Sequence, residues 1–174
     1  MPASLADQIA TQAEAARSLY HRLVIVVGGA RSGKTTAFKQ LAERQAWPLV
    51  NLNLTLAERL LELTSRQRAL QAAEVVGDIF SAIPGDVLLL DNTEMLFHPE
   101  LKLDPLRLFQ SLSRNRTLVV SWKGAATEHE LTFAAPDHSE YRRYQKLEMP
   151  VVIAHSSSAL HPGGATQTQR ERIA

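Results

Sequence analysis

The chain has 174 residues, and its acidic and basic side chains nearly balance, giving a formal net charge of +1. This balance excludes a strongly basic surface over the whole protein, so any binding of DNA would depend on a local basic patch. The absence of cysteine excludes disulfides, thiol catalysis and cysteine-based zinc sites. No signal-peptide pattern or membrane-length apolar stretch is present, so we expect a cytoplasmic protein without a membrane partner.

Residues 4–20 are predicted to form the first helix, because Leu5, Ile9 and Ala13 recur along one face. This helix precedes the first strand, and the core of the predicted fold does not require it. Two roles therefore stay open: the helix covers the sheet, or it contacts a partner or a neighbouring subunit.

A glycine-rich segment follows the first predicted strand. The strand is the apolar run from Leu23 to Val27, which is typical of a buried parallel strand. The pattern Gly28-x-x-x-x-Gly33-Lys34-Thr35 comes directly after it, and apolar residues then recur at helical spacing. A P-loop pattern between a strand and a helix is the context in which such a loop binds phosphate.

The residue types of this segment predict an ATP site. Phosphates are favoured at a helix N-terminus, where backbone N–H groups carry partial positive charge. Lys34 would neutralise the terminal phosphates, and the Thr35 hydroxyl would bind Mg²⁺. The predicted ATP-binding residues are Gly28, Gly29, Ala30, Arg31, Ser32, Gly33, Lys34, Thr35 and Thr36.

A second nucleotide-binding signal lies about 55 residues after this loop. The sequence first predicts a short strand at residues 48–52, a helix opening with the capping box Thr55-x-x-Glu58, and a longer helix over residues 66–83. A buried strand at residues 86–91 then ends in Asp91. Ligands bind at the carboxyl ends of strands in open α/β sheets, so we expect Asp91 to hold Mg²⁺.

Three polar residues near these strand ends are candidates for acting on the terminal phosphate. Glu94 could polarise the attacking water as a general base, or it could be an ordinary solvated acid. Asn92 is a second candidate for orienting that water. Ser121 ends a strand predicted over residues 117–122, where RecA-like and AAA+ ATPases carry a residue that senses the γ-phosphate. An ordinary strand-end serine is the alternative.

The remaining elements complete one domain over residues 1–154. We predict a helix that begins at Asp104-Pro105, a short extra strand over residues 130–134 and one helical turn over residues 139–144. A fifth main strand falls within residues 147–154, with Pro150 suited to an edge position. Residues 155–174 show no apolar period and are predicted to be a disordered tail.

These elements predict an α/β fold, because strands alternate with helices and the connections are then parallel and right-handed. The predicted architecture is a three-layer P-loop NTPase domain with a RecA/AAA+-like core of five mainly parallel strands and no C-terminal helical lid. A GTPase would need an Asn-Lys-x-Asp motif, which the sequence lacks. A nucleotide kinase would need an arginine-rich lid segment, and none of the usual kind occurs.

Several motifs resemble the BrxF family of small P-loop proteins from type 3 BREX bacteriophage-defence systems. They are the glycine-rich pattern, Leu88-Leu-Leu-Asp-Asn-x-Glu-x-Leu-Phe97, Asp104-Pro-Leu-Arg-Leu108, Leu112-Ser-Arg-Asn-Arg-Thr117 and Glu140-Tyr-Arg-Arg-Tyr144. The resemblance covers residues 1 to about 154. It implies a bacterial ATP-binding protein that acts beside a methyltransferase, a large ATPase and an alkaline-phosphatase-like protein in phage defence.

Arg142 and Arg143 are candidates for an arginine finger, because AAA+ proteins carry theirs in a similar place before the fifth strand. Such a finger acts on the nucleotide of a neighbouring subunit, so it predicts a homo-oligomer assembled through the nucleotide site. Three functions stay open: an ATPase or ATP switch in a DNA-modifying defence assembly, an ATP-regulated DNA-binding loader, and a small-molecule kinase.

Overall fold

The computed structural model describes residues 2–155 and contains two β-sheets. The main sheet has five parallel strands in the spatial order β2-β3-β4-β1-β8, and the smaller sheet has three antiparallel strands in the order β5-β6-β7. The strands are β1 (Leu23–Val27), β2 (Leu49–Asn51), β3 (Val87–Asp91), β4 (Thr117–Trp122), β5 (Gly124–Ala126), β6 (Glu130–Phe133), β7 (Arg142–Gln145) and β8 (Val151–Ile153).

Helix α1 (Leu5–Ala16) precedes the main sheet, and the other four helices lie in the connections from β1 to β4. They are α2 (Lys34–Gln45), α3 (Leu52–Leu60), α4 (Ser65–Ser81) and α5 (Pro105–Leu112), with two 3-10 turns at Glu94–Phe97 and Pro99–Leu101. The predicted α/β fold with five parallel strands is therefore confirmed. Within residues 2–155, no helix is long and apolar enough to cross a membrane.

Helices cover both faces of the main sheet, because alternate residues of each strand point to opposite sides. Val24 and Val26 of β1 pack with α1 and α2, whereas Leu23, Ile25 and Val27 pack in the cluster that includes α3, α4 and α5. Strands β1, β3 and β4 are buried along their whole length, which explains their continuous apolar sequences. This arrangement is compatible with the predicted three layers.

The first helix covers the sheet, which is the first of the two roles left open for it. Ile9 and Ala13 are buried in the same cluster as α2 and β1. The Ser4 hydroxyl accepts a hydrogen bond from the Asp7 backbone N–H at 3.1 Å, so the helix begins where its capping residue predicts. It ends at Ala16, four residues before the predicted end at residue 20.

The start of α3 differs from the prediction. The helix begins at Leu52, directly after β2, and Asn51 is its N-cap. The Asn51 side chain accepts from the Leu54 N–H at 3.2 Å, whereas the Thr55 hydroxyl lies inside the helix and donates to the Asn51 carbonyl at 3.1 Å. The predicted capping box at Thr55 is therefore wrong, because Asn51 ends a strand and caps a helix at once.

These contacts predict which of the two side chains stabilises α3. Replacing Asn51 by alanine removes an N-cap acceptor and is expected to lower the free energy of unfolding by about 1 kcal/mol. Thr55→Ala should change it by about 0.5 kcal/mol or less, since it removes a side chain within the helix. Urea unfolding of both variants measures the difference in the free energy of unfolding. A larger loss of stability for Thr55→Ala would support the helix start at Thr55 that the sequence predicts.

The region after β4 also differs from the prediction. The extra strand near residues 130–134 is confirmed as β6, but the predicted helical turn over residues 139–144 is wrong. Residues 142–145 form β7 and pair with β6, and their exposure alternates with the period of a strand. Tyr144 packs edge-on against Trp122, and its hydroxyl donates to Asp104 at 3.1 Å. These contacts between distant segments of the chain decide the conformation, and the local sequence does not reveal them.

The fifth main strand predicted within residues 147–154 is confirmed as β8. Strand β8 lies at an edge of the main sheet, beside β1, and the Pro150 carbonyl accepts from the Ile25 N–H at 3.1 Å. The predicted tail at residues 155–174 lies outside the described residues, except for His155, which is exposed.

Candidate functional site

A polar pocket of about 500 Å³ lies where the carboxyl ends of β1, β3 and β4 meet the N-terminus of α2. It brings together the glycine-rich loop, defined as residues 28–33, and side chains from two further strand ends. The lining residues are Gly29, Ala30, Arg31, Ser32, Gly33, Lys34, Thr35, Thr36, Asp91, Asn92, Glu94, Ser121 and Lys123. Every predicted ATP-binding or metal-binding residue except Gly28 therefore lines this one pocket.

Two glycines shape the loop for different reasons. Gly33 precedes α2 with φ +88°, a left-handed conformation that costs most residues free energy. A Cβ on Gly28 would lie 2.5 Å from the Ser32 hydroxyl and 2.9 Å from the Ala154 carbonyl oxygen, so no side chain fits there. Gly29 meets nothing within 4 Å of a built Cβ and is not required sterically.

The N-terminus of α2 points its first-turn N–H groups at the pocket. Within the described part of the chain, no side chain hydrogen-bonds this helix end as a cap. The first N–H groups of a helix lack intrahelical partners and carry the positive end of the helix dipole. Together with the curled loop before it, this helix end is suited to an anion.

Lys34 places its ammonium group inside the loop. Its Nζ donates to the Gly28 carbonyl at 2.5 Å, to the Gly29 carbonyl at 3.0 Å and to the Ser32 hydroxyl at 3.2 Å. Burial lowers the pKa of Lys34 below its ordinary value, and the nearby carboxylates of Asp91 and Glu94 oppose this effect. The ammonium thus sits partly desolvated, where its charge acts strongly on an anion.

Thr35 and Asp91 are joined by a hydrogen bond in the pocket. The Thr35 hydroxyl donates to Asp91 Oδ2 at 2.7 Å, and Asp91 Oδ1 accepts from the Asn92 N–H at 3.0 Å. The Asp91 side chain is almost fully buried at the end of β3. A hydroxyl and a carboxylate are ligands that Mg²⁺ accepts, and this ion usually takes only one or two carboxylates beside phosphate oxygens and water.

The composition of the pocket therefore fits a magnesium–phosphate complex better than an all-protein metal cage. Among residues 2–155, no group of three or more histidine, aspartate or glutamate side chains is placed to hold a metal ion. Thr35 and Asp91 alone would leave most of the coordination sphere to a ligand, as magnesium sites at phosphates do.

Glu94 reaches the same pocket from the 3-10 turn after β3, and Asn53 holds it in place. Asn53 Nδ2 donates to Glu94 Oε2 at 2.9 Å, while Asn53 Oδ1 accepts from the Met95 N–H at 2.8 Å. The Asn53 N–H also donates to the Asn92 carbonyl at 2.8 Å. Three hydrogen bonds thus tie the first turn of α3 to the segment carrying Glu94.

Asn53 is a residue that the sequence analysis missed. Asn51 pairs in register with Asp91, so a polar residue just after β2 lies at the same sheet edge as Asp91. That position after a strand end is the one sequence signal that could have found Asn53. Lys123 was also missed, although it follows Ser121 by two residues and lines the pocket with it.

The two arginine-finger candidates lie outside this pocket, on β7. Arg143 forms an ion pair with Glu130 of the neighbouring strand. Arg142 donates from Nη2 to the Leu103 carbonyl at 3.4 Å, and its Nε is buried with no hydrogen-bond partner among the described residues. These contacts are within one chain, and the role in a neighbouring subunit stays a prediction.

No protein-family model matches the chain, and no curated protein is significantly similar to it. The fold and the pocket together define an α/β protein with a polar, anion-suited pocket at the carboxyl edge of a parallel sheet.

Proposed function

We propose that this protein is a P-loop ATPase that binds ATP with Mg²⁺ in the polar pocket. The observation that carries the proposal is the 2.7 Å contact between Thr35 and Asp91 beside the Lys34 ammonium. In P-loop NTPases a loop Ser/Thr and a strand-end Asp hold the magnesium ion, and the loop lysine contacts the β- and γ-phosphates. The arrangement of hydroxyl, carboxylate and ammonium here supports the same division of roles.

The strand order supports placement in the RecA-like and AAA+ division of such proteins. Strand β4 lies between β1, which leads into the loop, and β3, which carries Asp91. Its end contributes the almost fully buried Ser121 to the pocket. A polar residue at this place is positioned to contact a terminal phosphate, which is the sensing role predicted for Ser121.

Each protein group has a definite task in this proposal. The N–H groups at the start of α2 and the Lys34 ammonium would bind the phosphate chain, and Thr35 with Asp91 would hold the ion. When ATP·Mg²⁺ is bound, water would attack the γ-phosphorus, the bond from this phosphorus to the bridging oxygen would break, and ADP would be the leaving group. Glu94 accepts a proton from that water, and Asn53 keeps its carboxylate oriented by the 2.9 Å hydrogen bond.

The test of the proposal is a calorimetric titration of the protein with ATP and Mg²⁺, paired with a phosphate-release assay. We expect micromolar binding and phosphate release without an added acceptor. Phosphate transfer that appears only with an acceptor would favour a kinase instead. Absence of nucleotide binding at millimolar ATP would contradict the proposal.

The magnesium role of Asp91 gives a second expected result. Asp91→Ala should weaken ATP binding in the presence of Mg²⁺ by about tenfold or more, because a charged metal ligand is lost. Binding measured with excess chelator should change much less, since the carboxylate acts through the ion. Equal losses with and without Mg²⁺ would show that Asp91 supports the loop through Thr35 and has no separate metal role.

The biological setting follows from the motif resemblance alone. We propose that the protein works with other proteins of a BREX-type phage-defence system, where ATP binding or hydrolysis controls an assembly on host or phage DNA. Co-expression with the other proteins of such a system, followed by purification with and without ATP, tests this setting. If the same complexes form with and without ATP, then ATP does not control their assembly.

A further inference from the structure

A second cavity, of about 480 Å³, adjoins the polar pocket and shares Glu94 with it. Its apolar part comes from α3 and the 3-10 turns, and it is lined by Ala57, Leu60, Leu61, Met95 and Leu101. We call this cavity the acidic groove because three carboxylates, those of Glu94, Glu100 and Glu140, also line it, against one guanidinium, that of Arg68, and the His98 imidazole. Arg68 already donates from Nε to the Leu60 carbonyl at 3.0 Å.

The groove is open to an occupant with apolar and basic character. Leu61 lines the groove and is 73% exposed, so its side chain is accessible to an occupant of the groove. The excess of carboxylates favours a cation, while the apolar walls favour an aromatic or aliphatic side chain.

The same chain carries a surface of that character at the opposite edge of the main sheet. Leu19 and Tyr20 lie between α1 and β1, before the strands begin, and are 40% and 67% exposed. The Arg114 guanidinium lies over the Tyr20 ring, 4.8 Å from its centroid, and His21 contacts the same ring edge-on. We call Leu19, Tyr20 and Arg114 the Tyr20 patch.

The Tyr20 patch is preorganised for binding. His21 is itself anchored, since its Nδ1 lies 2.9 Å from the Gln110 carbonyl oxygen. The Tyr20 ring is thus held between His21 and Arg114, so little side-chain freedom would be lost on association. Tyrosine and arginine are also the residue types that contribute most at protein interfaces.

From these two surfaces we infer that the protein associates head to tail, with the Tyr20 patch of one copy seated in the acidic groove of the next. Apolar Tyr20 and Leu19 meet Leu61 and its neighbours, and the Arg114 cation meets the groove carboxylates. The two surfaces are different and lie at opposite sheet edges, so one chain cannot satisfy both by itself. Such a heterologous contact leads to a ring or a filament.

This contact would reach the proposed nucleotide site through one residue. Glu94 lines both the polar pocket and the acidic groove, and Asn53 in the groove wall donates to it. A copy seated in the groove would therefore lie against the residue assigned as the proton acceptor. This coupling rests on the proposed function, whereas the association itself does not.

The experiment is sedimentation velocity of the full chain across a range of micromolar concentrations, without nucleotide or Mg²⁺. Tyr20→Asp places an acid against an acidic groove, and Leu61→Lys places a charged group where the apolar Tyr20 and Leu19 of the next copy would pack. Each variant should weaken self-association by about tenfold or more. Added salt should weaken the wild-type association, because opposite charges meet across it. Circular dichroism confirms that these surface variants are folded.

Two comparisons make the result decisive. Leu70→Lys is the matched control, because Leu70 is 75% exposed on α4 and does not line the groove; it should associate like the wild type. An equimolar mixture of Tyr20→Asp and Leu61→Lys should form dimers that grow no further, since each copy retains one intact surface. A monomeric wild type, a monomeric mixture, or equal losses for Leu70→Lys and Leu61→Lys would overturn the inference. ATP binding is measured separately, so its failure would not affect this outcome.

Discussion

Replacing Lys34 by alanine is expected to weaken ATP·Mg²⁺ binding by about 30- to 1,000-fold, corresponding to about 2–4 kcal/mol. The ammonium is partly buried in the loop and donates to two backbone carbonyls and to Ser32. A phosphate chain bound in the polar pocket would lose its nearest fixed positive charge. Calorimetric titration of the folded variant with ATP and Mg²⁺ measures this loss.

The matched control for this experiment is Lys39→Ala. Lys39 lies on the exposed side of the same helix, α2, and its removal changes the net charge by the same amount. It should leave the affinity nearly unchanged, because an exposed charge is screened by solvent and salt. Equal affinities of Lys34→Ala and wild type would remove the glycine-rich loop from nucleotide binding.

The environment of Lys34 also predicts how wild-type binding depends on pH. Burial lowers the pKa of this group, so its ammonium loses its proton at a lower pH than an ordinary lysine does. Only the protonated form of Lys34 attracts phosphate. As the pH is raised, ATP affinity should therefore begin to fall at a lower pH than it would with a lysine of ordinary pKa. In Lys34→Ala this part of the pH dependence should disappear.

The sequence predicts the main sheet and the pocket because their signals are local. Continuous apolar runs mark β1, β3 and β4, which are buried on both faces, and the carboxyl end of each run lies next to residues that line the pocket. Strand ends in an open parallel sheet meet at one edge, so Gly28, Asp91 and Ser121 could be expected there together.

The features that the sequence misses depend on contacts between distant segments. The sequence predicts one helical turn over residues 139–144, but pairing with β6 and packing of Tyr144 on Trp122 make residues 142–145 extended. The role of Asn53 depends on where α3 begins, which Asn51 decides by capping the helix from the end of β2. An early helix start brings Asn53 against Glu94, and no spacing rule in the sequence indicates this.

Replacing Glu94 by glutamine is expected to lower the rate of ATP hydrolysis by about 10²- to 10³-fold while retaining ATP binding. An amide cannot accept a proton as a carboxylate does. The substitution is nearly isosteric, and its amide oxygen accepts the hydrogen bond from Asn53 that Glu94 Oε2 accepts at 2.9 Å in the native protein. The loss would therefore report the missing base and leave the local structure intact. Phosphate release under saturating ATP measures it.

The control separates the loss of a particular carboxylate from a general change in charge. Glu74→Gln, on the exposed surface of α4, removes the same charge far from the pocket lining and should keep the wild-type rate. Asn53→Ala tests the orienting role of Asn53, because it leaves the Glu94 carboxylate but removes the group that orients it. A positioning role predicts a lower kcat for Asn53→Ala with little change in ATP affinity. If Glu94→Gln hydrolyses ATP at the wild-type rate, Glu94 is structural and Asn92, which lines the same pocket, becomes the candidate that orients water.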